Sequence, residues 1–347
     1  MMTKPMPGTP DDAESASQLP SFPVTHSLLA AEALRGEVAR SYPVARPVDC
    51  TLYRSYANDV YLVTTAEGQR ILKVYRASWR SVEEIAYEVE LLAHLAAKGV
   101  RVATAVRRND GGVLGTLRAP EGARHYVLYS YADGIKPRQP FTTDLYRRFG
   151  RATALVHRAS DDFVSPHRRT PLDLVHFLDR PLAALRPWLA GRPDDWYFLV
   201  SVAEKVRQRI TTLAPDLDWG PCHGDLSLDN LHITASGDII FYDFDSGGPG
   251  WRASDPYGVY RYAASGVESL WPAFLQGYRS ARPFGAADLA AVPYFAAAYA
   301  VEGMGHQAAN WVTWGGRWLM SDNYLDKELA NLRRWDNEQL PSCCSCQ

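Results

Sequence analysis

The spacing of hydrophobic positions changes along the chain, and each change predicts an element. Between residues 51 and 75, Tyr53, Val60, Leu62, Ile71, Leu72 and Val74 are strand formers, and Ala66-Glu67-Gly68-Gln69 is a turn signal. This predicts a hairpin with TLYRSYANDVYLVTT as its first half and QRILKVYR as its second. Over 82–98 the period lengthens. Ile85, Val89, Leu92 and Leu95 recur at spacings of four and three until Gly99, as in an amphipathic helix closed by glycine. Further strand signals fall at 101–107, 114–117 and 125–131.

Ala132-Asp133-Gly134, followed by Pro137 and Pro140, breaks this pattern and predicts a short hinge. Helical spacing prevails beyond it. Leu145, Phe149, Ala152 and Val156 share one face of a helix capped by Thr142 or Thr143. Residues 196–213, 267–281, 287–312 and 322–338 read as further helices, with a hairpin at 231–234 and 239–244 among them. The expected architecture is α+β in two lobes. A β-rich lobe with one long helix spans 22–133 and a larger, mostly helical lobe spans 134–338. They lie between a polar tail, 1–21, and a cysteine-rich tail, 339–347.

Composition narrows the function. At 347 residues, 46% hydrophobic and 22% charged, the chain can bury a sizeable core and is not disordered, collagen-like or a coiled coil. Lys and Arg number 37 against 39 Asp and Glu, which lacks the basic excess of a dedicated nucleic-acid binder. The longest nearly apolar run, 290–301, contains Pro293 and falls well short of the roughly twenty residues of a membrane span. The first 21 residues have no apolar signal-peptide core. Five cysteines, three of them at Cys343, Cys344 and Cys346, do not make a disulfide framework, so a cytoplasmic location is expected. The tail CCSCQ has too few ligands for a zinc site and poor aliphatic positions for prenylation.

The chemistry concentrates in Cys222-His223-Gly224-Asp225-Leu226-Ser227-Leu228-Asp229-Asn230, which contains H-x-D-x-x-x-x-N, and in Tyr242-Asp243-Phe244-Asp245 on the hairpin that follows. Phosphoryl transfer needs a group to orient the attacking hydroxyl and oxygen ligands for the metal on the triphosphate. An Asp and an Asn on one tight loop, with a second Asp ending the neighbouring strand, meet both needs.

These segments resemble the aminoglycoside phosphotransferase and choline kinase superfamily, which has the protein-kinase-like two-lobed fold. SYANDVYLV, LKVYRASW and SVEEIAYEVELLAHL resemble the group of stress response kinase A and the type II homoserine kinases. The similarity runs from about residue 50 to about 265. It implies that Asp225 is the catalytic base or hydroxyl-orienting residue, that Asn230 and Asp243 bind Mg²⁺, and that His223 props the loop. It further implies that Lys73 holds the α- and β-phosphates of ATP and that Glu88 pairs with Lys73. Glu84, one helical turn before Glu88, is the competitor for that pairing.

Some positions depart from the pattern. No G-x-G-x-x-G covers the phosphates. Ser55-Tyr56-Ala57-Asn58-Asp59 occupies that turn, and Ser55 and Asn58 are either phosphate donors or part of a plain turn. The adenine slot is expected against 127–132, with Tyr131 and Ala132 at the hinge and Ile71 and Ile240 as walls. Asp245 sees a second metal or bonds the loop, and Asp255 anchors the catalytic loop. His157 is expected to be a buried hydrogen-bonding histidine. Trp311, Trp314 and Trp318, with Tyr294, Tyr299, Glu302 and Asp322, form either an aromatic and acidic pocket for a cationic amino alcohol or a helical core. The expected function is ATP- and Mg²⁺-dependent transfer to the hydroxyl of a small molecule. The alternatives are a kinase acting on Ser or Thr of a protein, and a non-catalytic pseudokinase.

Overall fold

The computed structural model describes residues 22–340. The tail expected over 1–21 and the cysteines of CCSCQ lie outside them. Leu340, placed by the sequence in the C-terminal tail, is instead buried at the end of the last helix.

The chain enters through α1 (Ala31–Ser41), a helix the sequence reading omitted although Leu34 and Val38 mark its buried face. Five antiparallel strands follow, interrupted by one helix. They are β1 (Asp49–Ser55), β2 (Asn58–Thr65) and β3 (Gly68–Tyr75), then α2 (Val82–Ala97), then β4 (Gly115–Ala119) and β5 (Gly122–Ser130), in the sheet order β1-β2-β3-β5-β4. The expected first arm of the hairpin is thus two strands, folded at Tyr56-Ala57. The predicted strand at 101–107 makes only isolated bridges at Val102 and Ala105. Alternation along the strands sorts the two faces of the sheet. Leu72, Val74, Tyr126 and Leu128 pack with Leu34 and Val38 of α1, while Tyr75, Val127 and Tyr129 join the main core on the face of α2. Lys73 pairs in register with Val127 and therefore projects on that second face.

The second part is helical. It comprises α3 (Thr143–Ala159), a π-turn (Val175–Asp179) running into α4 (Arg180–Leu185), and α5 (Pro193–Leu213). Short strands follow: β6 (Trp219–Cys222), β7 (Leu231–Ile233), β8 (Ile239–Phe241) and β9 (Gly248–Trp251). The helices α6 (Tyr257–Ala264), α7 (Leu270–Arg279), α8 (Ala286–Trp314) and α9 (Asp322–Gln339) complete it. Helices α3 and α7 pack in close contact. A Cβ on Gly277 would lie 1.8 Å from the carbonyl oxygen of Arg147, so only glycine permits the approach. The small strands form a frame for two loops. Cys222 pairs with Gly248 and Leu231 with Phe241, which pins loops 223–230 and 242–247 together at both ends. Among the described residues, no helix is long and apolar enough to cross a membrane. Cys50 and Cys222 are both free and buried.

Candidate active site

Lys73 is buried where the two parts meet. Its Nζ lies 3.0 Å from Asp243 Oδ1, 3.4 Å from Glu88 Oε1 and 3.6 Å from Asp245 Oδ1. Burial alone would lower its pKa, but these carboxylates outweigh that and hold the ammonium well above the usual lysine value. Of the two candidate glutamates, Glu88 reaches Lys73. Glu84 closes the capping box of α2 with Ser81. Burial raises the Glu88 pKa, and Lys73 opposes the shift. The Tyr75 hydroxyl donates to Glu88 Oε2 at 3.0 Å and accepts from Tyr129 at 3.0 Å, so a short chain of hydroxyls fixes the carboxylate.

The catalytic-loop segment is held from below. Asp255 accepts the backbone N–H groups of His223 and Gly224, each at 2.8 Å, and His157 bonds the same carboxylate at 2.9 Å. Burial would raise the Asp255 pKa, but His157 and the donated N–H bonds hold it below the usual carboxylate value. His223 Nε2 donates to the carbonyl of Tyr242 at 3.1 Å, and its Nδ1 accepts from the N–H of Asp225 at 3.3 Å. Gly224 has φ +78°, and a Cβ there would meet the carbonyl of Ser246 at 2.2 Å. Asn230 donates through Nδ2 to Asp225 Oδ2 at 2.8 Å and to its carbonyl at 2.9 Å. Both partners are acceptors, so the amide orientation is determined and its carbonyl oxygen faces away from Asp225. Asp243 takes the left-handed conformation, φ +63° and ψ +60°, unusual for a residue with a Cβ.

Two openings meet at the Asn230–Asp225 contact. The first is a cleft of about 970 Å³, its open mouth included, bordered by Lys73, Glu88, Asn230 and Asp243, and by Tyr131 and Ala132 at the hinge. Ile71, Val60, Leu62 and Leu92 are its apolar walls. Ile240, expected as a wall, does not border it. The carbonyl of Ala132 accepts from His232 Nδ1 at 2.5 Å. Asn230 and Asp243 bring two oxygen donors to this cleft. That suits Mg²⁺, which takes one or two protein oxygens and completes its shell with phosphate and water. Among the described residues no group of three or more His, Cys, Asp or Glu forms a metal cage.

Two expectations need correction. The Ser55 hydroxyl donates to Asp59 at 2.6 Å, and the Asn58 amide is buried and donates to Asp245 at 3.2 Å. Neither side chain borders the cleft, because the fold at Tyr56-Ala57 turns Asn58 inward. Asp245 is a tie between the lobes: it also accepts from Trp79 Nε1 at 2.9 Å and Arg80 Nε at 3.3 Å. Burial would raise its pKa, but Lys73, Arg80 and Arg169 hold it well below the usual carboxylate value.

The second opening is a cavity of about 1160 Å³, its open mouth included, that reaches Asp225 and is bordered by Tyr257, Tyr299 and Glu302. Burial, then the nearby charge of Asp225, raises the Glu302 pKa to about 7. Of the expected aromatic cluster, only Tyr299 and Glu302 border this cavity. Trp311 packs on Trp188, Trp314 contacts Tyr56 and Trp79, and Trp318 is exposed. Sequence reasoning missed Trp79, Arg80, Arg169, His176 and Arg180, all on the cavity wall. Trp79 ends the segment LKVYRASW but was given no role there, and Arg80, Arg169, His176 and Arg180 come from stretches without a motif; the five meet only through the fold.

A sheet-and-helix lobe joined to a helical lobe, with lysine, glutamate and a catalytic-type loop around one cleft, defines a protein-kinase-like phosphotransferase. Residues 49–291 match the model of the phosphotransferase enzyme family, and the chain belongs to that family. It is a small-molecule phosphotransferase with an alcohol group as acceptor. An uncharacterized protein of Deinococcus radiodurans is 42% identical, over 91% of this chain and 93% of its own length. A homoserine kinase of Brucella ovis is 28% identical, over 76% of this chain and 80% of its own. Among solved structures, a microcompartment-associated aminopropanol kinase is similar with a TM-score of 0.75 at 25% identity, covering 90% of this chain and 99% of that one. Amicoumacin kinase hAmiN, solved with AMP-PNP and Ca²⁺, shares the fold with a TM-score of 0.69 at 22% identity, covering 89% and 94%. The pseudokinase alternative falls with membership of this family of enzymes.

Proposed function

We propose that the protein transfers the γ-phosphoryl group of ATP, with Mg²⁺, to the hydroxyl of a small amine-bearing molecule. The observation that carries this reading is the meeting of the two openings at Asp225. The cleft holds an ammonium and two oxygen donors suited to a metal–nucleotide, and the cavity on the other side has room for an acceptor. Lys73 holds the α- and β-phosphates, and Glu88 fixes the lysine. Asn230 and Asp243 hold Mg²⁺, which when bound neutralises charge on the triphosphate. Asn230 also orients Asp225, so that a free carboxylate oxygen accepts the hydroxyl proton of the acceptor.

Small-molecule acceptors named for the relatives, aminopropanol and homoserine, support an alcohol that also carries an amine. A partly buried Glu302 beside Asp225 supports the same choice, since a carboxylate there is best matched by an ammonium. The test is an ATP-consumption screen across hydroxylated metabolites, aminoglycosides and Ser/Thr peptides, run with wild type and Asp225→Ala. The expected result is turnover of an amino alcohol, lowered at least about 10²-fold in Asp225→Ala while nucleotide still binds. Full activity in the variant would remove Asp225 from the mechanism, and preferential phosphorylation of peptides would favour a protein acceptor.

A further inference from the structure

The cavity beyond Asp225 can be followed along one helix. Tyr299, Glu302, His306 and Asn310 recur at spacings of three and four on the face of α8 that borders it. Its floor is at Tyr299, whose hydroxyl donates to the carbonyl of Gly224, next to Asp225, at 3.2 Å. With a rise of 1.5 Å per residue, Glu302 stands roughly 4–5 Å above that level and His306 about 10 Å. The facing wall runs in the same direction. The rings of Phe177 and Tyr299 are 4.9 Å apart, and a Cβ on Gly305 would lie 2.3 Å from the Cα of Pro181. Arg180, the residue before Pro181, therefore sits near the level of Gly305, beyond Glu302 as counted from Asp225.

The two levels differ in charge. The inner level holds the carboxylates of Asp225 and Glu302 and the ring of Tyr257, stacked on Tyr299 at 3.6 Å. Among the described residues, no donor forms a hydrogen bond to Glu302; His306 Nδ1 approaches only to 3.6 Å. The outer level holds Arg180, which is exposed and forms no ion pair with a described carboxylate. His176, one turn before Arg180 and within reach of the charges of both Arg180 and His306, and His306 itself bring side-chain N–H groups to the same wall. Burial first, then neighbouring positive groups, lowers both pKa values to about 4, so both imidazoles are neutral donors at pH 7. Arg80 and Arg169 border the same cavity, which therefore opposes a ligand with several positive charges.

We propose that the acceptor is an elongated alcohol with two charges of opposite sign: an ammonium near the hydroxyl, held by Glu302 and the Tyr257 ring, and an anionic group further out, held by Arg180 with His176 and His306. This rests on Asp225 being the group that meets the acceptor hydroxyl. It goes further by specifying the charge order of the molecule, and it excludes polycationic amino sugars as the preferred substrates.

The test compares kcat/KM for ethanolamine, serine, homoserine, the dipeptide Ser-Gly, glycolate and an aminoglycoside, in wild type, Arg180→Ala and Glu302→Gln. Wild type is expected to prefer Ser-Gly, whose carboxylate lies beyond its ammonium as counted from the hydroxyl, over ethanolamine, glycolate and the aminoglycoside, with serine and homoserine, whose two charges share one carbon, in between. Arg180→Ala is expected to lower the ratio of kcat/KM for the best zwitterion over that for ethanolamine at least tenfold. Glu302→Gln is expected to lower kcat/KM for amine-bearing alcohols relative to glycolate. An unchanged zwitterion-to-ethanolamine ratio in Arg180→Ala overturns the proposal. So does a first rank for the aminoglycoside, or the absence of both turnover and calorimetric binding for every zwitterion in the panel. If these zwitterions fail while another alcohol is phosphorylated in an Asp225-dependent way, the proposed function stands and only the charge order falls. If transfer is independent of Asp225, both fall.

Discussion

Replacing Glu302 with Gln is expected to make the ligand-free protein more stable. Burial and the charge of Asp225 raise the Glu302 carboxyl from 4.5 to about 7. Each unit corresponds to about 1.4 kcal/mol, so the ionised carboxylate costs the folded state about 3.5 kcal/mol at most. The side chain keeps 19% of its exposure, and solvent screening reduces the expected figure to roughly 2 kcal/mol. A raised carboxyl pKa means that the folded state binds the proton more tightly than the unfolded chain does. Stability is therefore lost as pH rises from about 4.5 to about 7, and the full cost is present above that window. Glutamine carries no titrating proton. Urea unfolding should place Glu302→Gln close to wild type at pH 5 and roughly 2 kcal/mol above it at pH 8. The same variant should lose kcat/KM for amine-bearing acceptors, so stability and function move in opposite directions. An equal stability difference at both pH values, or a loss of stability at pH 8, would refute the reasoning.

Asp243→Ala should abolish the dependence of nucleotide affinity on Mg²⁺, measured by calorimetry with and without the metal; an undiminished metal effect would remove Asp243 from the ligand set. Asp255→Asn leaves one carbonyl oxygen where a carboxylate served two N–H groups and His157, and should cost at least about 2 kcal/mol in urea unfolding. Gly277→Ala drives a methyl against the Arg147 carbonyl, 1.8 Å from the built Cβ, and should destabilise by about 3 kcal/mol or more. Gly303→Ala, with nothing within 4 Å of its built Cβ, should instead gain about 0.5–1 kcal/mol, and the two thermal shifts should therefore have opposite signs.

The parts of the site legible in the sequence are those that lie close together along the chain or follow a strong pattern. Asp225 and Asn230 share one short loop, Asp243 lies two residues past the following hairpin strand, and Lys73 stands on a strand with a clear period. The resemblance favours Glu88, but Glu84 competes with it because both lie on nearly the same face of α2. Ser81-x-x-Glu84, a capping-box pattern, was the signal that would have decided it. The turn at Tyr56-Ala57 is hidden in a run of strand formers, so Ser55 and Asn58 were aimed at the phosphates when their side chains turn to Asp59 and Asp245. Arg169 meets Glu84, Asp245 and Gly247 only through the fold, bonding their carbonyls from far along the chain. No local pattern announces such a residue, and the acceptor cavity is built largely from residues of this kind.

The crowding of carboxylates at Lys73 has an order. Glu88 and Asp245 each have a second source of positive charge or hydrogen bonding: Glu88 accepts from Tyr75, and Asp245 accepts from Asn58, Trp79 and Arg80. Both are nearly buried, at 2% and 9% side-chain exposure, while Asp243 keeps 33% and has no second cation within 4.0 Å among the described residues. Unpairing a buried carboxylate is costly, and unpairing one that water already reaches is less so. Of the three, Asp243 is therefore the partner Lys73 can release when an anionic ligand enters the cleft, which leaves its carboxylate available at the same moment. Glu88 and Asp245 keep their contacts with the Lys73 Nζ through the exchange, so the ammonium has little distance to travel.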